Sequence, residues 1–378
     1  MTKLPVAALL LACFALVRGA AGQEPPASEW LTWGYDQERT GWNRAETTLS
    51  KDNVSRLVLT WKSELPVAPR EIALSTLTSP LVVEGVATPQ GRRTLLFIAG
   101  RDDSVFAIDA DSGKIVWQKT FPNALTPPQT ATWLCSNTQN ATPVIDKRNG
   151  IIYLNTSDGK LRGLSLATGD ERLTPADFVT PFARNWSLNL IDDVIYSPTA
   201  RGCEGRRFLY VPMWGPPSKS AAPFPFSHGD APRGSIMAFQ VASDGAKLSL
   251  TPAWISRDMH VPDPPVVANG VMYAIQTGEN TVQNPRPGGD IRRETDAQSG
   301  AGRGNQPPAL SPQAAAKLRA TPVTNLVLYA FDAQTGKQLY SSEQLIPGWV
   351  HYSEPVVAAG KVFVVTWDAR VYAFGVGR

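Results

Sequence analysis

The stretch SVFAIDADSGKIVW at residues 104–117 is spelled again, loosely, as LVLYAFDAQTGKQLY at 326–340. Each reads as a strand of alternating apolar residues, a tight turn and a second strand. Gly113 and Gly336 supply the positive φ that a short hairpin loop needs, and Asp111 is placed to bond the backbone two residues on. Ala167-Thr168-Gly169-Asp170 and Ser243-Asp244-Gly245-Ala246 are worn versions of the same turn. A chain that repeats one hairpin this far apart is built from units.

A second marker fixes the period. Ser79-Pro80-Leu81-Val82-Val83 recurs as Thr142-Pro143-Val144-Ile145, Ser197-Pro198-Thr199, Pro264-Pro265-Val266-Val267 and Glu354-Pro355-Val356-Val357. Behind each lie a second strand, a third and, in most, a fourth. Four short antiparallel strands per unit predict an all-β chain folded as a β-propeller. Five repeats are recognisable, and five to seven blades would accommodate them. The last unit stops at Val371-Tyr372-Ala373-Phe374 without a fourth strand, while Leu57 to Lys62 is a strand without a unit. The N-terminal strand is therefore expected to complete the last blade and close the ring, which removes exposed edges. Trp117, Trp254 and Tyr340, on fourth strands, are expected to pack between blades.

The remainder divides around this array. Residues 1–22 read as an export signal: Lys3, an apolar run from Pro5 to Val17, and small residues at Ala20-Ala21-Gly22. Leu10-Leu11-Ala12-Cys13 offers a lipobox as the alternative, but the residues after Cys13 stay apolar. The mature chain is expected to be exported, periplasmic or secreted, with no transmembrane segment, because the apolar run is too short to span. Residues 23–56 form an N-terminal segment and 57–378 a single propeller domain with insertions at 215–233 and 280–325. Within the second insertion, Ser311-Pro312 opens a short helix. Net charge is +3 with no basic block, which argues against nucleic-acid binding. Cys135 and Cys203 are expected on opposite faces of the ring, too far apart for a disulfide.

Strand direction sorts the loops. With strands A to D running alternately down and up, the D–A and B–C loops share one face, and the A–B and C–D loops the other. The repeated turns are C–D loops, and hairpin geometry alone explains their uniformity. The D–A loops hold Trp133, Cys135, Asn137, Arg184, Trp186, His260, Asp263, Trp349, His351 and Glu354. The B–C loops hold Arg101, Asp102, Asp103, Asp158 and Asp368, and the first insertion adds His228, so all three histidines are expected on this face. Varied loops on one side of a rigid ring are where function usually sits.

The chain at this point resembles the pyrroloquinoline-quinone (PQQ) repeat propellers of the quinoprotein alcohol dehydrogenase-like superfamily. The resemblance rests on the turn A-x-D-x-x-[ST]-G-K, on Trp33-Gly34-Tyr35-Asp36 with Thr40-Gly41 and Asn53-Val54, and on the ending KVFVVTWDARVYAFG. Such propellers include PQQ-dependent alcohol and sugar dehydrogenases. They also include an outer-membrane assembly lipoprotein that binds no quinone and serves as a protein-binding scaffold. For the enzymes the resemblance implies PQQ and Ca²⁺. On this chain Trp133, Trp186 or Trp349 would stack on the quinone, Arg101 and Arg184 would meet its carboxylates, and Asn137, Asp263 and Glu354 would offer metal oxygens. Asp263, His260 or His351 would take the substrate proton.

The chain departs from the enzymes in several places. It has no adjacent Cys-Cys pair, and it reads Met213-Trp214-Gly215-Pro216-Pro217 where they commonly carry a Gly-Asn turn. It has no C-x-x-C-H for haem, and fewer repeats than their eight blades. Two functions stay open. One is an exported, degenerate quinoprotein-like propeller that binds a small-molecule ligand or a protein partner on the D–A/B–C face. The other is a PQQ- and Ca²⁺-dependent dehydrogenase oxidising an alcohol or sugar. A hydrolase or lyase using His260 or His351 has no G-x-S-x-G or H-E-x-x-H behind it.

Overall fold

The computed structural model describes residues 28–69, 76–126, 141–179, 181, 187–191, 194–196, 208–217, 223–243, 248–280, 321–351 and 353–377. Two strands come first, β1 (Trp42–Asn43) and β2 (Leu57–Glu64). Sheet one is β3 (Leu81–Thr88), β4 (Gly91–Gly100), β5 (Ser104–Asp109) and β6 (Ile115–Thr120), side by side in that order. Sheet two repeats it with β7 (Val144–Asp146), β8 (Ile151–Asn155), β9 (Lys160–Ser165) and β10 (Glu171–Asp177). A hairpin of β11 (Asn189–Ile191) and β12 (Val194–Tyr196) follows. Sheet three holds β13 (Phe208–Trp214), β14 (Phe226–Ser227), β15 (Gly234–Ser243) and β16 (Leu248–Ile255). Sheet four holds β17 (Val266–Ala268), β18 (Val271–Gln276), β19 (Val327–Asp332) and β20 (Gln338–Ser341). Sheet five holds β21 (Val356–Ala358), β22 (Lys361–Val365) and β23 (Arg370–Val376).

The expected fourth strand of sheet five is present. β2 pairs antiparallel with β23 from Leu57↔Val376 to Glu64↔Arg370. The burial pattern explains why these sequences make these strands. Inner strands such as β5 and β18 are buried at every position and read as near-continuous apolar runs, whereas the outer β6 is mostly half-buried or exposed.

Three features go beyond the repeat. The insertion at 215–233 is not strand-free: it supplies β14, which lies parallel to β16 with Phe226 opposite Trp254. The β11–β12 hairpin carries no repeat signature, and the expected first strand of the third unit, 197–199, lies outside the described residues. β1 adds a parallel edge to β17. The export signal, Cys135, Cys203 and the helix expected after Ser311 also lie outside the described residues.

The turns behave as units. Gly113, Gly169 and Gly336 all sit at φ +72°. The capping carboxylate is the last residue of the strand and not Asp111, as the sequence suggested. Asp109 Oδ1 accepts from the Ser112 N–H at 2.8 Å, and Asp332 Oδ1 from the Thr335 N–H at 3.0 Å. Asp111 instead pairs with Lys361 at 2.6 Å. Each glycine is also the floor for an indole of the preceding sheet. A Cβ on Gly113 would meet the Trp61 ring at 2.6 Å, one on Gly169 the Trp117 ring at 2.7 Å, and one on Gly336 the Trp254 ring at 2.6 Å. The three indole N–H groups donate to Ala110, Leu166 and Ala333 carbonyls at 3.0, 3.0 and 3.3 Å. This joint links sheet five to one, one to two, and three to four. Tyr340 against Phe374 takes its place between four and five.

The N-terminal segment runs along the first strands. Trp30 exchanges two backbone hydrogen bonds with Val82 of sheet one, Leu31 accepts from Ile145 of sheet two, and the Ser28 carbonyl accepts from Ala359 at the end of sheet five. With β1 on sheet four, one short stretch contacts four sheets at or beside their first strands, and Trp30 and Leu49 are wholly buried.

Candidate functional site

The D–A/B–C face gathers polar groups that the repeat does not require. His351, in the loop after sheet four, bonds through Nδ1 to Glu279 at the end of β18, and both are buried. Asp263, ahead of β17, is buried and accepts the Ser353 N–H at 3.0 Å. Ser353 Oγ lies 3.5 Å from Ser79 Oγ. Residues preceding the first strands of sheets four, five and one thus meet at one point, with the His351–Glu279 pair beside them. Buried carboxylates and imidazole are costly unless paired, and here each carboxylate has a donor.

The other expected site residues separate. Glu354 points to the N-terminal segment, where it accepts the Gly34 N–H at 2.7 Å. Burial pushes its carboxyl up to about 7, against the lowering effect of that N–H and of the Arg39 charge. Trp349 is buried and stacked on Trp367, with ring centroids 5.5 Å apart and 17° between planes. Arg101 Nη1 is spent on the Pro69 carbonyl at 2.5 Å. His260 is half-buried with its backbone N–H donating to Gln276 Oε1 at 2.9 Å, and burial, then Arg233, pushes its imidazole down. Trp133, Asn137, Arg184 and Trp186 lie outside the described residues.

The loop carboxylates of the second and fifth sheets are turn-builders. Asp158 and Asp368 accept Thr156 and Thr366 hydroxyls at 2.6 Å each and pair with Arg162 and Arg370. Asp103 is buried and takes both Ser157 donors, tying sheets one and two together. The expectation that all three histidines share this face is not met. The insertion runs down the flank of sheet three and brings His228 Nε2 to the Thr335 carbonyl at 2.7 Å, on the C–D turn of sheet four.

Glu279 was missed in the sequence. Its only signal is position, as the first charged residue after a fully buried second strand and just before the long insertion. Trp367 was read only as part of the ending, although it is the partner that closes off Trp349.

A quinone needs an open aromatic face, free guanidinium groups and metal oxygens. Trp349 is covered by Trp367, Arg101 holds a backbone carbonyl and Glu354 holds the N-terminal segment. As arranged, these three do not fit that cofactor. Among the described residues no group of three or more His, Cys, Asp or Glu is set to hold a metal ion. No helix among them is long and apolar enough to cross a membrane.

Residues 75–175 match the PQQ_2 family model, described as outer membrane protein assembly factor BamB. That stretch is PQQ-like repeat sequence. It spans sheet one and most of sheet two, so the family's repeat coincides with the turns and indole joints described above. No curated protein matches the chain. Among solved structures it is similar to quinohemoprotein alcohol dehydrogenase from Comamonas testosteroni, at 14% identity and TM-score 0.46, over 96% of this chain and 82% of that one. It is also similar to quinohemoprotein alcohol dehydrogenase ADHIIG from Pseudomonas putida HK5, at 12% identity and TM-score 0.42, over 93% and 80%. A europium-containing methanol dehydrogenase aligns at 14% identity and TM-score 0.32, over 92% and 57%. Alignments this loose transfer no site.

Proposed function

We propose that this chain is an exported, non-catalytic PQQ-like propeller that binds a protein partner or small ligand on its D–A/B–C face. One observation carries the reading: Trp349, Arg101 and Glu354, which a quinone and its metal would need, are already engaged by the chain itself, while a different set of polar residues clusters on that face. The matched family description, an outer membrane assembly factor, agrees with a scaffold that holds a partner. Export rests on the N-terminal signal pattern. Fold alone does not name the function, so the reading needs a direct test.

Purified protein would be titrated with PQQ and Ca²⁺ while quinone absorbance and dye reduction are followed over alcohols and aldose sugars. The expected result is neither saturable quinone binding nor turnover. Saturable binding with turnover would establish the PQQ- and Ca²⁺-dependent dehydrogenase instead. In that case Trp349→Ala and His351→Ala should weaken quinone binding, and a change at Gly336 should act only through stability. Equal loss from both would remove the D–A/B–C face as the site.

A further inference from the structure

A second concavity lies away from the cluster of His351 and Asp263. Where the N-terminal segment crosses sheet two and β11 there is a pocket of about 710 Å³, within the range of small-ligand sites. Its floor is apolar, from Leu31, Tyr35, Val144, Ile145 and Leu190. Its rim is polar, and the hydrogen bonding there is lopsided. Lys147 is committed to Glu29 at 2.6 Å, and Arg148 is likewise engaged. Asp36 is used by Thr40 and Arg44, and Asp146 by Asn149.

Three rim groups have acceptors to spare. Asn189 is 7% exposed; its Nδ2 donates to the Gln37 carbonyl at 2.8 Å, and its Oδ1 is buried with no partner. Gln37 spends its side-chain N–H on the Leu190 carbonyl at 2.7 Å, which leaves its side-chain oxygen as an acceptor. Glu38 is exposed and makes no hydrogen bond or ion pair among the described residues. A buried acceptor without a donor is costly, and a native fold normally satisfies it.

We infer that this pocket binds a ligand whose polar end only donates: an ammonium or guanidinium group on a short aliphatic stem. A sugar would bring as many acceptors as donors, and an anion would face Glu38 and the unpaired oxygens. A cation meets the carboxylate and the two amide oxygens, while its stem lies on the apolar floor beside Tyr35. The group can come from a free polyamine or from a lysine or arginine side chain of a protein.

Calorimetric titration of the full chain tests this with four probes: spermidine, acetyl-lysine-amide, acetyl-arginine-amide and glucose. At least one cationic probe is expected to bind, more weakly at higher salt, and glucose is not. Spermidine alone binding assigns a free amine; the capped amino acids binding as well assigns a protein side chain. Glu38→Gln keeps the shape and removes the charge, and should weaken binding by about tenfold, the usual worth of one charge-assisted hydrogen bond. Because Glu38 is exposed, its unfolding temperature should not move. Binding of no cationic probe, glucose binding as well as the amines, or full affinity in Glu38→Gln with the fold intact would each overturn the assignment. A change in quinone binding does not bear on it, since no residue of the pocket belongs to the D–A/B–C cluster.

Discussion

The C–D turns and the D–A/B–C loops are opposite ends of the same strands, yet they are built on different rules. At the described turns of sheets one, two and four the chain does the same thing: one glycine at φ +72° with one indole laid on it, and in sheets one and four the same carboxylate cap. At the other end the Thr–Asp turns of sheets two and five repeat, but the groups around them do not: a histidine–glutamate pair, an aspartate on a backbone N–H, two serine hydroxyls, an aspartate tie. Repetition is what local geometry and inter-sheet packing reward. Buried polar groups are not rewarded, since a well-packed apolar core would serve stability as well or better. The difference separates the part of the molecule that holds it together from the part with room for a task.

The sharpest way to break that comparison is to attack a joint. Trp254 is wholly buried, bonded to Ala333 and flat on Gly336. Trp254→Ala should cost about 3–5 kcal/mol, read by denaturant unfolding. Gly336→Val should cost a similar amount, because it places a β-branched residue at φ +72° and drives its Cβ into the indole. Trp42→Ala is the control, on a tryptophan that is 40% exposed. If the control destabilises as much as Trp254→Ala, the joints are not what holds the sheets.

The next test moves to the other face. Glu279→Leu leaves His351 without its buried carboxylate and should cost about 3 kcal/mol. Replacing both, as Glu279→Leu with His351→Leu, should recover much of that loss. Recovery would mark the pair as expendable for folding and so available to function. A double variant no better than the single would make the pair part of the frame, and the contrast between the two ends would fail.

These two ends were not equally legible in the sequence. The turns were readable because their chemistry is local. Gly113, its flanking carboxylates and Trp117 lie within nine residues, and the same spelling returns at Gly336. The donation of β2 to sheet five was also readable, because a strand without a unit and a unit without a strand are both visible in the sequence. The Asp111 cap was misread because two carboxylates stand two residues apart and only backbone geometry chooses between them. The site was far less readable. Glu279 meets His351 and Asp263 meets Ser353 across 72 and 90 residues, and nothing local announces either pairing. Glu354 was a reasonable metal oxygen in sequence, but its partner, the Gly34 N–H, lies 320 residues away. His228 was assigned to a face by strand order, and the insertion carried it to the other.

Acid and base should distinguish the two ends as well. Glu354 has its folded pKa, about 7, above the ordinary 4.5, so the fold binds its proton more tightly than the open chain. Its contribution to stability should fall as pH rises from about 4.5 to 7 and stay flat above that, by up to about 3 kcal/mol in total. Glu354→Gln keeps an acceptor for the Gly34 N–H without the charge. It should flatten this part of the profile and melt at or above the parent at pH 8. A variant that keeps the parent's slope between pH 5 and 7 would place the titration elsewhere.

Asp332 should show the reverse slope, and a smaller one. Burial alone would raise its carboxyl, but the bonds from Lys51, Gln334 and Thr335 outweigh it and hold the pKa below the ordinary range. The fold therefore prefers the ionised form. The stability it contributes is complete above the unfolded pKa and is lost as pH falls through the folded one. Asp332→Asn keeps a side-chain oxygen for the Thr335 N–H and loses only the partly exposed ion pair to Lys51. That pair is worth about 1 kcal/mol or less at the surface. The variant should be close to the parent at pH 7, and the small difference should shrink as pH falls below the ordinary aspartate range. A loss of several kcal/mol at neutral pH would mean that the charge itself, and not the hydrogen-bond geometry it shares with Asn, builds the turn. The uniform end of the molecule would then depend on electrostatics as heavily as the varied one.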